Sequence, residues 1–147
     1  MNGHAHKTLG ALTGPAVGIS LSVKAHRRPR AAEALGWVAG GVVGAKLPDI
    51  IEPAHNPHHR KFAHSAIVLQ GNVAILRSCE LQCSIQWLHD AADRQRAKTG
   101  ESPLVDFLRE LFALFLEFLA GVLPGVTAGY ASHLFADWTT PKRIPLY

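Results

Sequence analysis

From Phe118 to Ala136 the chain carries no charged side chain, and only Pro124-Gly125 interrupts the run. So long an apolar run has few fates. Strands are typically about 5–6 residues, so it is too long for one, and an apolar helix must be buried or meet lipid. Two further stretches behave alike. Thr8–Val23 is uncharged and holds Gly10, Gly14, Gly18 and Pro15, while Ala34–Ala45 is uncharged and holds Gly36, Gly40, Gly41 and Gly44. Strict apolar–polar alternation, the mark of a half-buried strand, is absent. The expected fold class is all-α, a compact bundle of about five to seven helices. All 147 residues are expected to form a single domain, 1–147, since a chain of this size can bury a core of its own.

Breakers set the expected boundaries. A small-residue helix covers Thr8–Val23, and Pro15 starts or interrupts it. A second runs over Arg30–Ala45, after Pro29. Pro48, Pro53, Asn56 and Pro57 mark Pro48–Arg60 as a loop. His64 to about Ala97 reads as one long helix or two. Lys98–Pro103 is a break, where Ser102 can cap a helix that has Pro103 at its first position. Leu104–Leu123 is helical, Pro124-Gly125 breaks or kinks it, Val126–Trp138 resumes, and Thr139–Tyr147 is a tail.

The composition leans apolar, with 48% hydrophobic and 18% charged residues and a mean hydropathy of +0.09. Thr8–Val23 and Ala34–Ala45 fall short of the roughly 20 residues that a spanning helix needs. Leu104–Val126 is long enough but contains Asp106, Arg109, Glu110 and Glu117, which argue against an ordinary span. A bundle of short buried helices is expected, with peripheral or partial membrane insertion left open, and no signal peptide is evident. Cys79 and Cys83 stand one helical turn apart; their bland reading is two small buried apolar residues. The net charge is +4, and much of the basic excess lies in Arg27, Arg28 and Arg30. Such a stretch suits a solvated loop, anionic headgroups or nucleic acid, although the lack of interleaved aromatics argues against single-strand binding.

The nine histidines are clustered. His133 and Asp137, four apart, share one helix face among apolar neighbours, so both polar groups need partners. A metal ion or a His–Asp pair would supply one. Asp49 and Glu52 add two carboxylates after the second helix. His55, His58, His59, Arg60 and His64 form a dense cluster, in which His55 and His58 read as exposed loop residues. His4 and His6 bring an N-terminal histidine pair, with His6 nearer the first helix. Imidazole and carboxylate together are zinc-type ligands, and Arg60 suits a phosphate or carboxylate group in a substrate.

Taken together, Gly3-His4-Ala5-His6 with Gly10, Leu47-Pro48-Asp49, His59-Arg60-Lys61-Phe62-Ala63-His64-Ser65 and Gly129–Asp137 through Thr140-Pro141 resemble the YdjM-type family of bacterial and phage proteins. That family is described as membrane-associated, metal-dependent hydrolases, and is more distantly similar to the helical zinc-dependent phospholipase C group. The resemblance implies metal roles for His6, Asp49, His64, His133 and Asp137, and site roles for His59 and Arg60. It also implies a phospholipase C/P1 nuclease-like core and residence at the inner membrane or its cytoplasmic face. Ile51 stands where many relatives carry a second aspartate, with Glu52 beside it, so about one or two zinc ions are expected rather than a three-metal cluster.

The expected function is hydrolysis of a phosphoester or phospholipid-like small molecule by a metal-activated water, with Asp49 or Glu52 as general base. The alternatives are a metal-stabilised, non-enzymatic membrane adaptor and a basic nucleic-acid-associated protein.

Overall fold

The computed structural model describes residues 3–52, 64–98, 100 and 102–139. Its elements are α1 (Gly3–Lys24), α2 (Ala31–Gly44), α3 (Leu47–Ile51), α4 (Ala66–Arg77), α5 (Cys79–Arg96) and α6 (Pro103–Trp138). The fold is an all-helical bundle, with no strand among the described residues. α6 is the spine: α1, α2, α4 and α5 all pack along it, and α1 also packs on α2.

Glycine sets how closely these helices approach. A Cβ on Gly121 would run into the Glu33 carbonyl oxygen, one on Gly36 into that of Phe118, and one on Gly129 into that of Gly41. Gly10 meets the Gly41 carbonyl in the same way. The α1–α2–α6 core is therefore backbone against backbone, the packing that small residues at four-residue spacing allow. Side chains fill the other half of the molecule. There Leu21, Leu81, Ile85, Leu88, Ala113 and Leu116 form a cluster between α1, α5 and α6.

Several boundaries differ from the sequence expectation. α1 begins at Gly3 and runs through Pro15. α6 runs unbroken through Pro124; a helix already packed on both sides tolerates the one backbone bond that proline removes. The expected Pro48–Arg60 loop opens instead within the single turn α3, with Pro48 near its start, where a missing N–H costs nothing. The His64–Ala97 stretch is two helices parted at Ser78, whose hydroxyl accepts from the Leu81 N–H at 3.2 Å. The Ser102 cap is as expected and accepts from the Val105 N–H at 3.3 Å. Cys79 and Cys83 are both exposed, free thiols, which overturns their reading as buried apolar residues.

Charges around the apolar helices pair across the bundle. Arg27 clamps Glu33 through both terminal nitrogens, at 3.0 and 2.7 Å, and also donates to His89 Nε2 at 2.9 Å. Arg30 grips Asp93 bidentately at 2.9 and 2.8 Å and reaches Glu117 at 2.8 Å. Arg96 joins Glu117 to Glu110. The basic stretch is thus tied into the bundle at two of its three arginines rather than forming a solvated loop. Large apolar side chains face outward instead: Phe107, Leu111, Phe112 and Phe115 on α6, Leu35 and Val43 on α2, and Leu12 and Ile19 on α1 are exposed. Two stretches, 31–51 and 103–138, are long and apolar enough to cross a membrane, with mean hydropathies of 1.3 and 1.9 in their most apolar windows. The sequence argument against such spans counted charges, and it missed that Glu117 is paired in the interior.

Because backbone contacts cannot readjust, Gly121→Ala should destabilise the bundle by about 1–3 kcal/mol or more. A Cβ on Gly71 in α4 would meet nothing within 4 Å. Gly71→Ala should therefore be neutral or stabilising, by up to about 1 kcal/mol. Thermal denaturation of the two variants in one detergent checks the contrast.

Candidate metal centre

Three elements converge at the end of the bundle where α6 finishes. α1 brings His6 in its first turn, α3 brings Asp49 just beyond the α2 glycines, and the last turns of α6 bring His133 and Asp137. His64 arrives just ahead of the α4 cap Ser65. His6, His64, His133 and Asp137 are all buried, at 5, 0, 1 and 2% exposure, whereas half of the Asp49 side chain is exposed. His4 is exposed, so His6 is the N-terminal histidine that faces the site.

Hydrogen bonds fix which nitrogen each ring presents. His133 Nδ1 lies 2.7 Å from the Ala45 carbonyl oxygen. That oxygen can only accept, so Nδ1 carries the proton and the neutral ring's lone pair is on Nε2. His64 Nδ1 likewise donates to Glu52 Oε2 at 3.2 Å, leaving Nε2 on the site side. Both Nε2 atoms face carboxylates. His133 Nε2 is 3.6 Å from Asp49 Oδ1 and 3.5 Å from Asp137 Oδ2. His64 Nε2 is 3.6 Å from Asp49 Oδ1 and 3.8 Å from Asp137 Oδ2. His6 stacks on His133 with ring centroids 3.9 Å apart, and its Nε2 stands 3.7 Å from the other Asp137 oxygen.

These separations decide what the cluster suits. They exceed hydrogen-bond length, and among the described residues His133 Nε2 and His6 Nδ1 are buried without a hydrogen-bond partner. Two ligands at about 2.0–2.2 Å from one ion, at a tetrahedral angle, stand about 3.3–3.6 Å apart. Four nitrogen–oxygen separations here are 3.5–3.8 Å. Two overlapping groups thus meet the spacing for a shared cation, one of His6, His133 and Asp137 and one of Asp49, His64 and His133. The donor set fits a divalent ion of the zinc type.

Burial, then the adjacent His133, pushes His6 below the ordinary histidine pKa. Burial pulls His64 the same way, but the Asp49 and Glu52 carboxylates outweigh it and its pKa is raised. Ligand imidazoles must be neutral, so protons compete for His64 first as pH falls. Cation affinity should therefore weaken as pH drops through the raised His64 pKa, while His6 loses little until more acidic pH. A chelator-competition titration over a pH series reads this directly.

All five residues expected as ligands, His6, Asp49, His64, His133 and Asp137, meet at this one centre. Glu52 meets His64 at Nδ1, the ring nitrogen away from Asp49 and Asp137. His55, His58, His59 and Arg60 lie outside the described residues. Sequence reasoning missed the Ala45 carbonyl, which no side-chain pattern can signal, and the buried Glu33–Arg27–His89 cluster, whose members are far apart in the chain.

The family model described as YdjM inner membrane protein matches residues 1–147. The chain belongs to the YdjM inner membrane protein family. As a YdjM-family member it is a membrane protein, and the apolar surfaces of α2 and α6 agree with that setting. No curated protein and no solved structure matches it.

Proposed function

We propose that this chain is a divalent-metal-dependent hydrolase of the inner membrane, acting on a phosphoester or phospholipid-like substrate. The observation that carries the proposal is the paired lone-pair geometry. Two histidines, each anchored through Nδ1, turn Nε2 toward carboxylate oxygens at 3.5–3.8 Å, an arrangement that a cation between them relieves. His64, His133, Asp49 and Asp137 would hold one ion, and His6 with the second Asp137 oxygen extends the set towards another. Zinc suits the ligands, in about one or two equivalents. A bound ion of this kind supplies Lewis-acid polarisation and acidifies water at the site. Asp49 is the half-exposed member of the cluster, so it is the group open to substrate and available as general base. Arg60 and His59 are assigned to an anionic substrate group on the family resemblance alone.

The near-complete burial of the other four ligands favours one rival, a structural ion in a non-enzymatic membrane adaptor. The nucleic-acid reading is weakened, since Arg27 and Arg30 are already engaged by carboxylates.

Elemental analysis of the purified protein should find about one or two equivalents of a transition metal, lost in His133→Ala and Asp137→Ala. Loaded protein should turn over chromogenic phosphodiesters or short-chain phospholipids, with both variants at background. A fully loaded wild type inert across that panel overturns the hydrolase in favour of the adaptor. A wild type that takes up no metal after supplementation overturns the metal centre itself.

A further inference from the structure

Glu52 sits at the carboxyl end of α3, one residue past its last turn. Its side chain is mostly covered, at 18% exposure, and Oε2 lies 3.2 Å from His64 Nδ1. Nδ1 and Nε2 are on opposite sides of the imidazole ring. The Glu52 carboxylate therefore holds His64 by the edge that faces away from Asp49 and Asp137. His64 itself is fully buried and lies just ahead of α4, which starts at Ala66. His133 has a different arrangement: it lies on a continuous helix and takes its Nδ1 acceptor from the Ala45 backbone. At His64 the Glu52 carboxylate stands at that nitrogen instead.

We infer that Glu52 is a positioning residue: its carboxylate accepts the His64 Nδ1 proton, and so fixes the ring orientation and the tautomer that presents Nε2 to the metal centre. Carboxylate–histidine–metal chains of this kind raise the basicity of the ligating nitrogen. The inference rests on the proposed metal centre and refines it, taking Glu52 out of the role of general base. It also gives α3 a purpose. The single turn spans the centre, presenting Asp49 to the ligand side of His64 and Glu52 to its far side.

The test uses three variants of the full chain in detergent: Glu52→Ala, Glu52→Gln and, as a ligand control, Asp137→Ala. Imidazole ¹⁵N shifts of the metal-free protein, at a pH where the ring is neutral, report the His64 tautomer. Chelator competition with zinc alone reports affinity and stoichiometry. Wild type should show His64 protonated at Nδ1. Glu52→Ala should shift that ring toward the Nε2-protonated or mixed form and weaken zinc by about 10–100-fold with the number of bound ions unchanged. Glu52→Gln keeps an acceptor oxygen and should restore the tautomer and most of the affinity. An unchanged tautomer in Glu52→Ala overturns the inference, whatever the change in melting temperature. Loss of a whole equivalent of zinc in Glu52→Ala, as expected for Asp137→Ala, overturns it in favour of direct ligation. If the wild type takes up no zinc, the metal centre fails, and the tautomer measurement still decides whether Glu52 orients His64. Absence of hydrolysis with these results intact would count against the hydrolase alone.

Discussion

Everything in this bundle depends on how near α2 can come to α6. With glycine at Gly36, Gly40, Gly121, Gly125 and Gly129 the two backbones touch. That contact carries the end of α2 up against the last turns of α6. There the Ala45 carbonyl meets His133, and α3 starts close enough for Asp49 to face the same ring. Any side chain larger than hydrogen at the crossing would lift α2 away, and the 2.7 Å anchor of His133 would be the first casualty. The packing of one half of the molecule and the geometry of the centre are therefore one constraint. α1 obeys it too, since Gly10 against Gly41 is what lets His6 stack on His133.

The helical class and the residues gathered at the candidate centre were legible in the chain. Charge-free runs, a Ser102-Pro103 start signal and the four-residue spacing of His133 and Asp137 each report a local property, and local properties survive folding. The errors share a cause. Pro15 and Pro124 read as breaks because proline is costly in an isolated helix, while packing on neighbours keeps both helices whole. Glu117 read as an obstacle to an apolar helix because its partners, Arg30 at the α2 cap and Arg96 at the end of α5, come from elsewhere in the chain. Cys79 and Cys83 read as core because small apolar residues usually are. Glu52 was visible as a carboxylate near the site, but the sequence holds no signal for which ring edge it would meet.

The two ends of the molecule treat charge differently. At the α1–α2 turn, arginines and carboxylates pair directly, with contacts near 2.7–3.0 Å that satisfy one another. At the far end, histidines and carboxylates stand 3.5–3.8 Å apart and leave room between them. In the first cluster each carboxylate is met directly by an arginine. The second gathers imidazole and carboxylate lone pairs, the zinc-type ligands of the centre proposed above. That contrast within one chain distinguishes a cluster that closes a structure from one that suits a ligand.

The placement of large and small side chains has its own consequence. The α1–α2–α6 core is lined by glycine and alanine, while phenylalanine, leucine and isoleucine point outward. Water would gain little by expelling such an interior and would be burdened by such an exterior. Apart from buried Trp37 and Leu134, this half of the molecule is thus sorted by size in the reverse of a water-borne globule, and its cohesion belongs partly to the medium around it. A solvent of acyl chains leaves the outer residues content and makes close backbone contact the tightest packing on offer. The bilayer then acts as the missing outer layer of the fold.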